Sequence, residues 1–423
     1  MTLIKSISGI RGTIGGKVGC SLTPIDLVRF TSAFGRWIQK RSNNKSPVII
    51  VGRDARISGD LIRQIVCSTL QALGVNVYDL GLSTTPTVEL AVQTKKSDGG
   101  IILTASHNPI QWNALKLLNE KGEFIDAVDG NEVLNIAESD DYDFAEINNL
   151  GQYTYDDSFI EKHIDSVLKL NLVNIDAIKS AKFKIVVDAV NSTGGIALPI
   201  LLKRLGVDCI SLNCEPNGIF SHDPEPLPEN LTAISKLVVE RKADLGIVVD
   251  PDVDRLAIIN EDGSMFGEEY TLVACADYVL SKEKGNTVSN LSSSRALKLV
   301  TEKHGGKYFS SAVGEVNVVK QMKLCNAIIG GEGNGGIIYP ESHYGRDSIV
   351  GVALFLSLLS EKKMKCSDLR SSYPSFFMSK NTTLQQCCFH IMKIGLSPKL
   401  DQRDLYRLRQ SSVIDHATED NHS

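Results

Sequence analysis

Read for strand, polar loop, helix and strand, the chain repeats itself. Val48-Ile49-Ile50-Val51 is a short β-branched run that ends in Gly52-Arg53-Asp54. The amphipathic stretch from Leu61 to Leu73 predicts a helix, stopped by Gly74, and Val75-Asn76-Val77-Tyr78 is the next strand. The same order returns at Lys184-Ile185-Val186-Val187-Asp188, with Asn191-Ser192-Thr193-Gly194-Gly195 as its loop. Its helix runs from about Ile196 to Leu205, followed by Gly206 and Val207-Asp208-Cys209-Ile210. Both copies carry a Leu-Gly-Val junction. A weaker third copy starts near Thr287-Val288, passes Ser292-Ser293-Ser294 and ends at Gly305-Gly306-Lys307-Tyr308. Copies this far apart exceed a solenoid period, so they predict three related α/β domains.

Helix-linked parallel strands present their ligand groups on loops at the carboxyl ends of the strands. The polar motifs sit there. Gly100-Ile101-Ile102-Leu103-Thr104 leads into Ser106, and Leu245-Gly246-Ile247-Val248-Val249 leads into Asp250. Ala327-Ile328-Ile329 leads into Gly330-Gly331-Glu332.

The length, 423 residues, is too great for one core and fits domains of roughly 100–150 residues. A chain 42% hydrophobic and 22% charged is a folding chain. Its formal net charge of −5, with no basic block, argues against nucleic acid as a partner. An anionic ligand would need a few arginines and lysines placed in a cleft. The nine cysteines are scattered without a C-x-x-C pair, and adjacent Cys387-Cys388 suit neither a disulfide framework nor a zinc site. Met1 to Gly12 has no apolar signal core, and the longest apolar stretch, Val350 to Leu359, is far short of the ~20 residues of a membrane span. The expectation is a cytoplasmic protein with no membrane partner, monomeric or homodimeric.

In Asp250-Pro251-Asp252-Val253-Asp254-Arg255 an extended backbone would aim alternate residues the same way and converge three carboxylates. Hard oxygen ligands at that spacing suit Mg²⁺ or Ca²⁺. An EF-hand loop would match Asp250, Asp252, Asp254 and Glu261, but it requires Gly where Arg255 stands, and Leu256 to Ile259 are apolar. A solvated acidic turn is the plain alternative, opposed by the repulsion of three like charges beside an apolar strand.

Ser106-His107 invites a hydrolase reading, yet neighbours on an extended loop point apart and no Gly-x-Ser-x-Gly elbow is present. A serine that carries phosphate instead needs cations, a metal and an acid/base nearby. His107 fits either a direct role or one of orienting its loop. Gly9-Ile10-Arg11-Gly12, after Ser8, reads as a flexible loop presenting Arg11. Gly330 to Gly336 holds five glycines in seven residues, so backbone can approach a ligand while Glu332 and Asn334 offer polar groups to sugar hydroxyls. Lys116, after Trp112-Asn113-Ala114, is a candidate base if its pKa is lowered, and otherwise a surface lysine.

Together these residues resemble the α-D-phosphohexomutase family, from Ser8 to about Lys380. Thr104-Ala105-Ser106-His107-Asn108-Pro109 followed by the Asp-x-Asp-x-Asp-Arg run carries the resemblance. It implies α/β domains with mixed sheets around a central cleft, with boundaries at 1–150 for the phosphoserine loop, 151–256 for the metal loop, 257–371 for the sugar loop and 372–423 for the remainder. It implies that Ser106 carries the phosphate, that Asp250, Asp252 and Asp254 hold Mg²⁺ beside that phosphate, and that Arg11, Lys116 and Arg255 surround it. Lys116 is then the acid/base, His107 belongs to the same loop, and Gly331, Glu332 and Asn334 match the sugar-recognition loop. The implied substrate is a hexose or hexosamine phosphate, exchanged through a bisphosphate intermediate.

Two departures bear on substrate. Gly336 stands where many members carry His, and Glu315 in Val313-Gly314-Glu315-Val316-Asn317 stands where many carry another His. These forms are more like the family's glucosamine-phosphate branch than its mannose or glucose branches. The third departure is at the end. The family's fourth domain holds the non-reacting phosphate with an Arg-x-Ser-[Gly/Asn]-Thr-Glu-Pro loop. From Asn381 that pattern dissolves: Thr382 to His390 has no clear period, Arg409-Gln410-Ser411-Ser412-Val413 keeps only Arg-x-Ser, and Asp415 to Ser423 is polar and featureless. The expectation is a missing or incomplete fourth domain, of the kind a frameshift would leave, and a chain that binds sugar phosphate with impaired turnover.

Overall fold

The computed structural model describes residues 1–6 and 9–376. The readings at Ser8, Asn381, Cys387-Cys388, Thr382–His390, Arg409–Val413 and 415–423 lie outside the described residues, and with them the expectation about the fourth domain.

Three mixed α/β sheets are built in chain order. The first runs Ile4–Ser6, Gly9–Thr13, Trp112–Leu118, Gly99–Leu103, Val48–Arg53, Asn76–Leu82, Tyr153–Tyr155. Its centre is parallel, with Val48–Arg53 between Gly99–Leu103 and Asn76–Leu82, joined by the helices Gly59–Ala72 and Thr85–Lys95. Those strands are apolar on both faces because helices cover both. Ile49, Val51, Ile101 and Leu103 enter one core with Phe34 and Trp37, while Ile50 and Ile102 enter another with Val88 and Val92. The second sheet runs Leu256–Asn260, Leu245–Val249, Lys184–Asp188, Asp208–Leu212. The third runs Tyr308–Ser311, Asn286–Asn290, Ala327–Glu332, Gly336–Ile338. Tyr153–Tyr155 pairs with the first sheet and Leu256–Asn260 with the second, so we move the proposed boundaries at 150 and 256 to follow those strands. Residues from 372 to 376 do not stand apart either: the Tyr270 hydroxyl donates to Pro374 O, and Tyr373 donates to Asp277.

Each sheet shares one device. The strand before a polar motif is parallel to its inner neighbour, and the strand after it returns antiparallel. Gly99–Leu103 returns as Trp112–Leu118, Leu245–Val249 as Leu256–Asn260, and Ala327–Glu332 as Gly336–Ile338. Each motif is therefore the turn of a hairpin.

The apolar run noted in the sequence becomes the helix Ser348–Lys362, buried along nearly all its length. Asp347 caps it, its Oδ1 accepting from Ile349 N at 2.8 Å and Val350 N at 3.2 Å. The helix joins a single apolar cluster that runs through the second and third units, from Ile164 and Leu198 to Phe355 and Leu359. Each such side chain contributes about 1.5–3 kcal/mol on burial, which holds those two units as one body. No helix among the described residues is long and apolar enough to cross a membrane. The described cysteines are free thiols, Cys67, Cys275 and Cys366 among them buried.

Candidate active site

The first hairpin turn is shaped by a buried arginine. Arg56 Nε donates to Asp54 Oδ2 at 3.1 Å, and its two amino groups donate to the carbonyls of Ser106, Asn108, Pro109 and Trp112 at 2.5 to 2.9 Å. One guanidinium thus satisfies four carbonyls that the tight turn would leave unpaired. Thr104 Oγ1 donates to Asp54 Oδ2 and accepts from Ser106 N. The result holds Ser106 at φ 49°, a left-handed conformation that costs a non-glycine residue about 1–3 kcal/mol and persists only where its surroundings fix it. The turn is not the extended loop expected from sequence, and Ser106 Oγ and His107 Nδ1 lie 3.4 Å apart instead of pointing away. Burial, and after it Arg255, push the His107 pKa down to about 4, so the ring is neutral at ordinary pH.

The second turn faces the first. Ser106 Oγ donates to Asp250 Oδ2 at 2.6 Å. The three aspartates converge, as their spacing predicts, but by a turn rather than an extended strand. Val253 stands at φ 65°, and Asp250 Oδ1 accepts from the backbone N–H of Asp254 and Arg255, both at 3.2 Å. All three aspartates are fully buried, with carboxylate oxygens within 4.8 Å of one another. Burial, and then the neighbouring Asp254 and Asp252 charges, push the Asp250 carboxyl well above its ordinary range. Asp252 Oδ1 and Asp254 Oδ1 have no hydrogen-bond partner. Buried oxygens left bare among like charges fit a divalent cation.

Lys116 Nζ reaches the same cluster, 2.7 Å from Asp252 Oδ2 and 3.5 Å from Asp254 Oδ2. Burial acts to lower its pKa, but Asp252 and Asp254 outweigh it and raise the ammonium above the ordinary lysine range. Lys116 is therefore held protonated here, and the lowered pKa on which the base reading was conditional is not met. Thr85 Oγ1 also donates to Asp252 Oδ2, at 2.5 Å. Arg11 belongs to the strand Gly9–Thr13, paired with Ala114, and not to a flexible loop.

The third turn places Glu332 and Asn334 on a cleft of about 950 Å³, which Ser106, Lys116, Arg11 and Arg255 also line. Asn290 Nδ2 and Gly314 N donate to Glu332 Oε1 at 2.7 and 3.1 Å. Burial acts to raise the Glu332 pKa, but Arg346 and Asn290 outweigh it and hold the carboxyl below its ordinary range. Gly331 is an interior strand residue, paired with Ile337, and does not line the cleft. Its missing side chain matters to the hairpin: a Cβ there would come 2.0 Å from Gly336 O.

Sequence reasoning missed Arg56, Thr85 and Arg346. Arg346 places its guanidinium on Asp254, Glu315 and Glu332 at 2.7 to 2.9 Å. Its one sequence signal is an Arg-Asp pair immediately before the most apolar helix of the chain.

Sequence profiles for phosphoglucomutase/phosphomannomutase α/β/α domains I, II and III match residues 3–143, 161–263 and 267–376 in turn. The chain belongs to this family of phosphohexomutases. A phosphoglucomutase/phosphomannomutase of Thermococcus kodakarensis is 32% identical over 374 residues, 88% of this chain and 80% of that protein. A probable phosphoglucosamine mutase of Methanopyrus kandleri is 32% identical over 377 residues, 89% of this chain and 80% of its own. The crystal structure of a putative phosphomannomutase from Thermus thermophilus superposes with a TM-score of 0.80 at 23% identity, covering 90% of this chain and 86% of that one, and so shares the fold. Such mutases are isomerases that move a phosphoryl group within one molecule.

Proposed function

We propose that this phosphohexomutase is a phosphoglucosamine mutase, interconverting glucosamine 6-phosphate and glucosamine 1-phosphate in the cytoplasm. The observation that carries the phosphoryl chemistry is Ser106 Oγ on Asp250, beside two buried carboxylate oxygens that make no hydrogen bond. Phosphoryl transfer asks for neutralised charge and alignment more than for covalent help. Asp250, Asp252 and Asp254 would hold Mg²⁺ together with the phosphorylated Ser106, and the ion when bound neutralises phosphoryl oxygens. Arg11, Lys116 and Arg255 add positive charge on the cleft side. His107, neutral and against Ser106 Oγ, orients the seryl group.

In the first half-reaction the bond from phosphorus to the seryl oxygen breaks and a bond to the sugar hydroxyl forms. The protonated Lys116 is the group placed to give a proton to the leaving seryl oxygen and to take the hydroxyl proton in its place. The hexosamine bisphosphate then turns over in the cleft and returns its other phosphate to Ser106. Glu332 and Asn334 accept and donate hydrogen bonds to the sugar hydroxyls, while Gly331 acts only through the strand.

The glucosamine preference is supported by a probable phosphoglucosamine mutase at 32% identity and a phosphoglucosamine/phosphogalactosamine mutase at 30%. A mannose or glucose phosphate preference is the second reading, favoured by the phosphoglucomutase/phosphomannomutase of comparable identity. Assaying the protein on glucosamine, mannose and glucose 6-phosphates separates the two. The proposal expects the highest kcat/KM on the amino sugar, and a strong preference for either neutral hexose would overturn it.

A further inference from the structure

Position 336 is occupied by the one residue that leaves room for a neighbour. A Cβ at Gly336 would come 2.3 Å from Arg346 Cδ and 3.0 Å from its Cγ. The space a side chain would take at the end of the glycine-rich turn is filled by Arg346, reaching across from the start of the next segment. An antiparallel bridge between Ile338 and Arg346 fixes that crossing.

From this seat the guanidinium divides its donors among three carboxylates. Nη2 is 2.7 Å from Asp254 Oδ2, Nε is 2.8 Å from Glu315 Oε2, and Nη1 is 2.9 Å from Glu332 Oε2. Asp254 belongs to the aspartate turn of the second unit, and Glu332 to the sugar-facing turn of the third. A planar fork that must satisfy three partners at once fixes their relative positions, which a flexible ammonium cannot do. The next residue keeps the fork in place. Asp347 N donates to Ile337 O at 2.8 Å, and Asp347 Oδ2 lies 2.9 Å from His163 Nε2 and 3.2 Å from His343 Nε2.

We propose that Arg346, admitted by Gly336, is a positioning residue of the mutase that registers the metal-binding turn against the sugar-binding turn. The inference rests on the mutase reading above and adds a residue to it. Arg346 acts through Glu332, whose carboxylate it aims at the cleft, and through Asp254, whose Oδ2 it occupies while Oδ1, 4.0 Å from Arg255 Nε, makes no hydrogen bond.

The test is a double-mutant cycle read in steady-state kinetics on glucosamine 6-phosphate. Arg346→Gln is expected to raise KM about tenfold or more, with a smaller fall in kcat, because sugar recognition loses its alignment. Arg346→Lys recovers only part of that loss. Gly336→Ala, which removes no charge, is expected to raise KM about threefold in the native background and to add nothing in an Arg346→Ala background, which lacks the Cγ and Cδ it would meet, as residues sharing one contact are non-additive. If either Arg346 variant does not fold, the cycle is run in the Glu315→Gln background, which carries one buried negative charge fewer. An unchanged KM in Arg346→Gln, or a Gly336→Ala effect equal in both backgrounds, overturns the assignment. A native protein that turns over no hexose phosphate defeats the mutase reading instead, so the two failures are told apart.

Discussion

Two clusters of buried ionisable groups meet at the centre of this chain, and they are balanced by different means. In one, Asp250, Asp252 and Asp254 face Ser106, Lys116 and Arg346 at the edge of the cleft. In the other, Glu89 and Thr87 from the first unit, His163 from the helix Phe159–Val167, and His343 and Asp347 from the third unit are sealed together. Three ligand-type atoms lie within 4.8 Å of one another in each. In the sealed cluster hydrogen bonds run through the two imidazoles, although Glu89 Oε1, Glu89 Oε2 and His343 Nδ1 make none. Asp347 Oδ2 faces both imidazole Nε2 atoms, Thr87 Oγ1 meets His163 Nδ1 at 2.9 Å, and Glu89 Oε2 sits 3.3 Å from His343 Nδ1. Burial, and then the Glu315 charge, push the Glu89 carboxyl up to about 8. In the aspartate cluster the oxygens without a hydrogen bond, Asp252 Oδ1 and Asp254 Oδ1, belong to one buried turn of three carboxylates. The cluster bridged by two imidazoles ties the units together, while the one made of carboxylates on a single turn fits a hard cation.

The largest effect should come from the serine itself. Ser106→Ala is expected to remove at least about 10³-fold of kcat, with thermal stability unchanged, in kinetic and calorimetric measurements. A variant keeping a tenth of native turnover would end the comparison, since the aspartates would then face no reacting group. Asp250→Asn should lower kcat by about 10²-fold. In metal-free buffer it should leave the melting temperature equal or higher, because a like charge is removed from a buried trio. A pronounced loss of metal-free stability would show that the trio is structural.

At the sealed cluster the order reverses. His163→Ala should cost about 2–4 kcal/mol by denaturant unfolding, because Thr87 and Asp347 each lose one buried hydrogen bond. KM for the sugar phosphate should stay within about twofold. The smallest effect is one of pH. Burial acts to lower the His343 pKa, but Asp347 and Glu89 outweigh it and raise it to about 10. A raised histidine stabilises fully below its unfolded value of about 6.5 and loses that contribution as pH rises through the folded value. Glu89, also raised, acts in the same direction. The melting temperature should therefore decline between about pH 6.5 and 10, and His343→Gln should flatten that decline.

Much of the scaffold was legible because its periodicities are local. The strand and helix around Val48–Leu73, and the copy at Lys184–Leu205, come from patterns a dozen residues long. The hairpin returns were not. Nothing in Trp112–Leu118 says which way it runs, and direction is settled by pairing with Gly9–Thr13 and Gly99–Leu103. The aspartates were visible as a motif, but their turn depends on Val253 adopting a conformation that β-branched residues avoid. Whether the Lys116 pKa is lowered could not be read from sequence, because it depends on Asp252 and Asp254 from another unit. Arg56 and Arg346 escaped for the same reason. Each is one arginine among many until folding sets it on Ser106 O or on Asp254, and no local pattern records those meetings.

The central claim is that Ser106 carries the phosphoryl group which the aspartate cluster is built to serve. The most direct measurement is peptide mass spectrometry after incubating the dephosphorylated protein with a hexose 1,6-bisphosphate and Mg²⁺, then chasing with glucosamine 6-phosphate. The account predicts one phosphoryl group on the Ser106 peptide, discharged by the chase. An unmodified Ser106, or phosphate on a different residue that the chase removes, would contradict it.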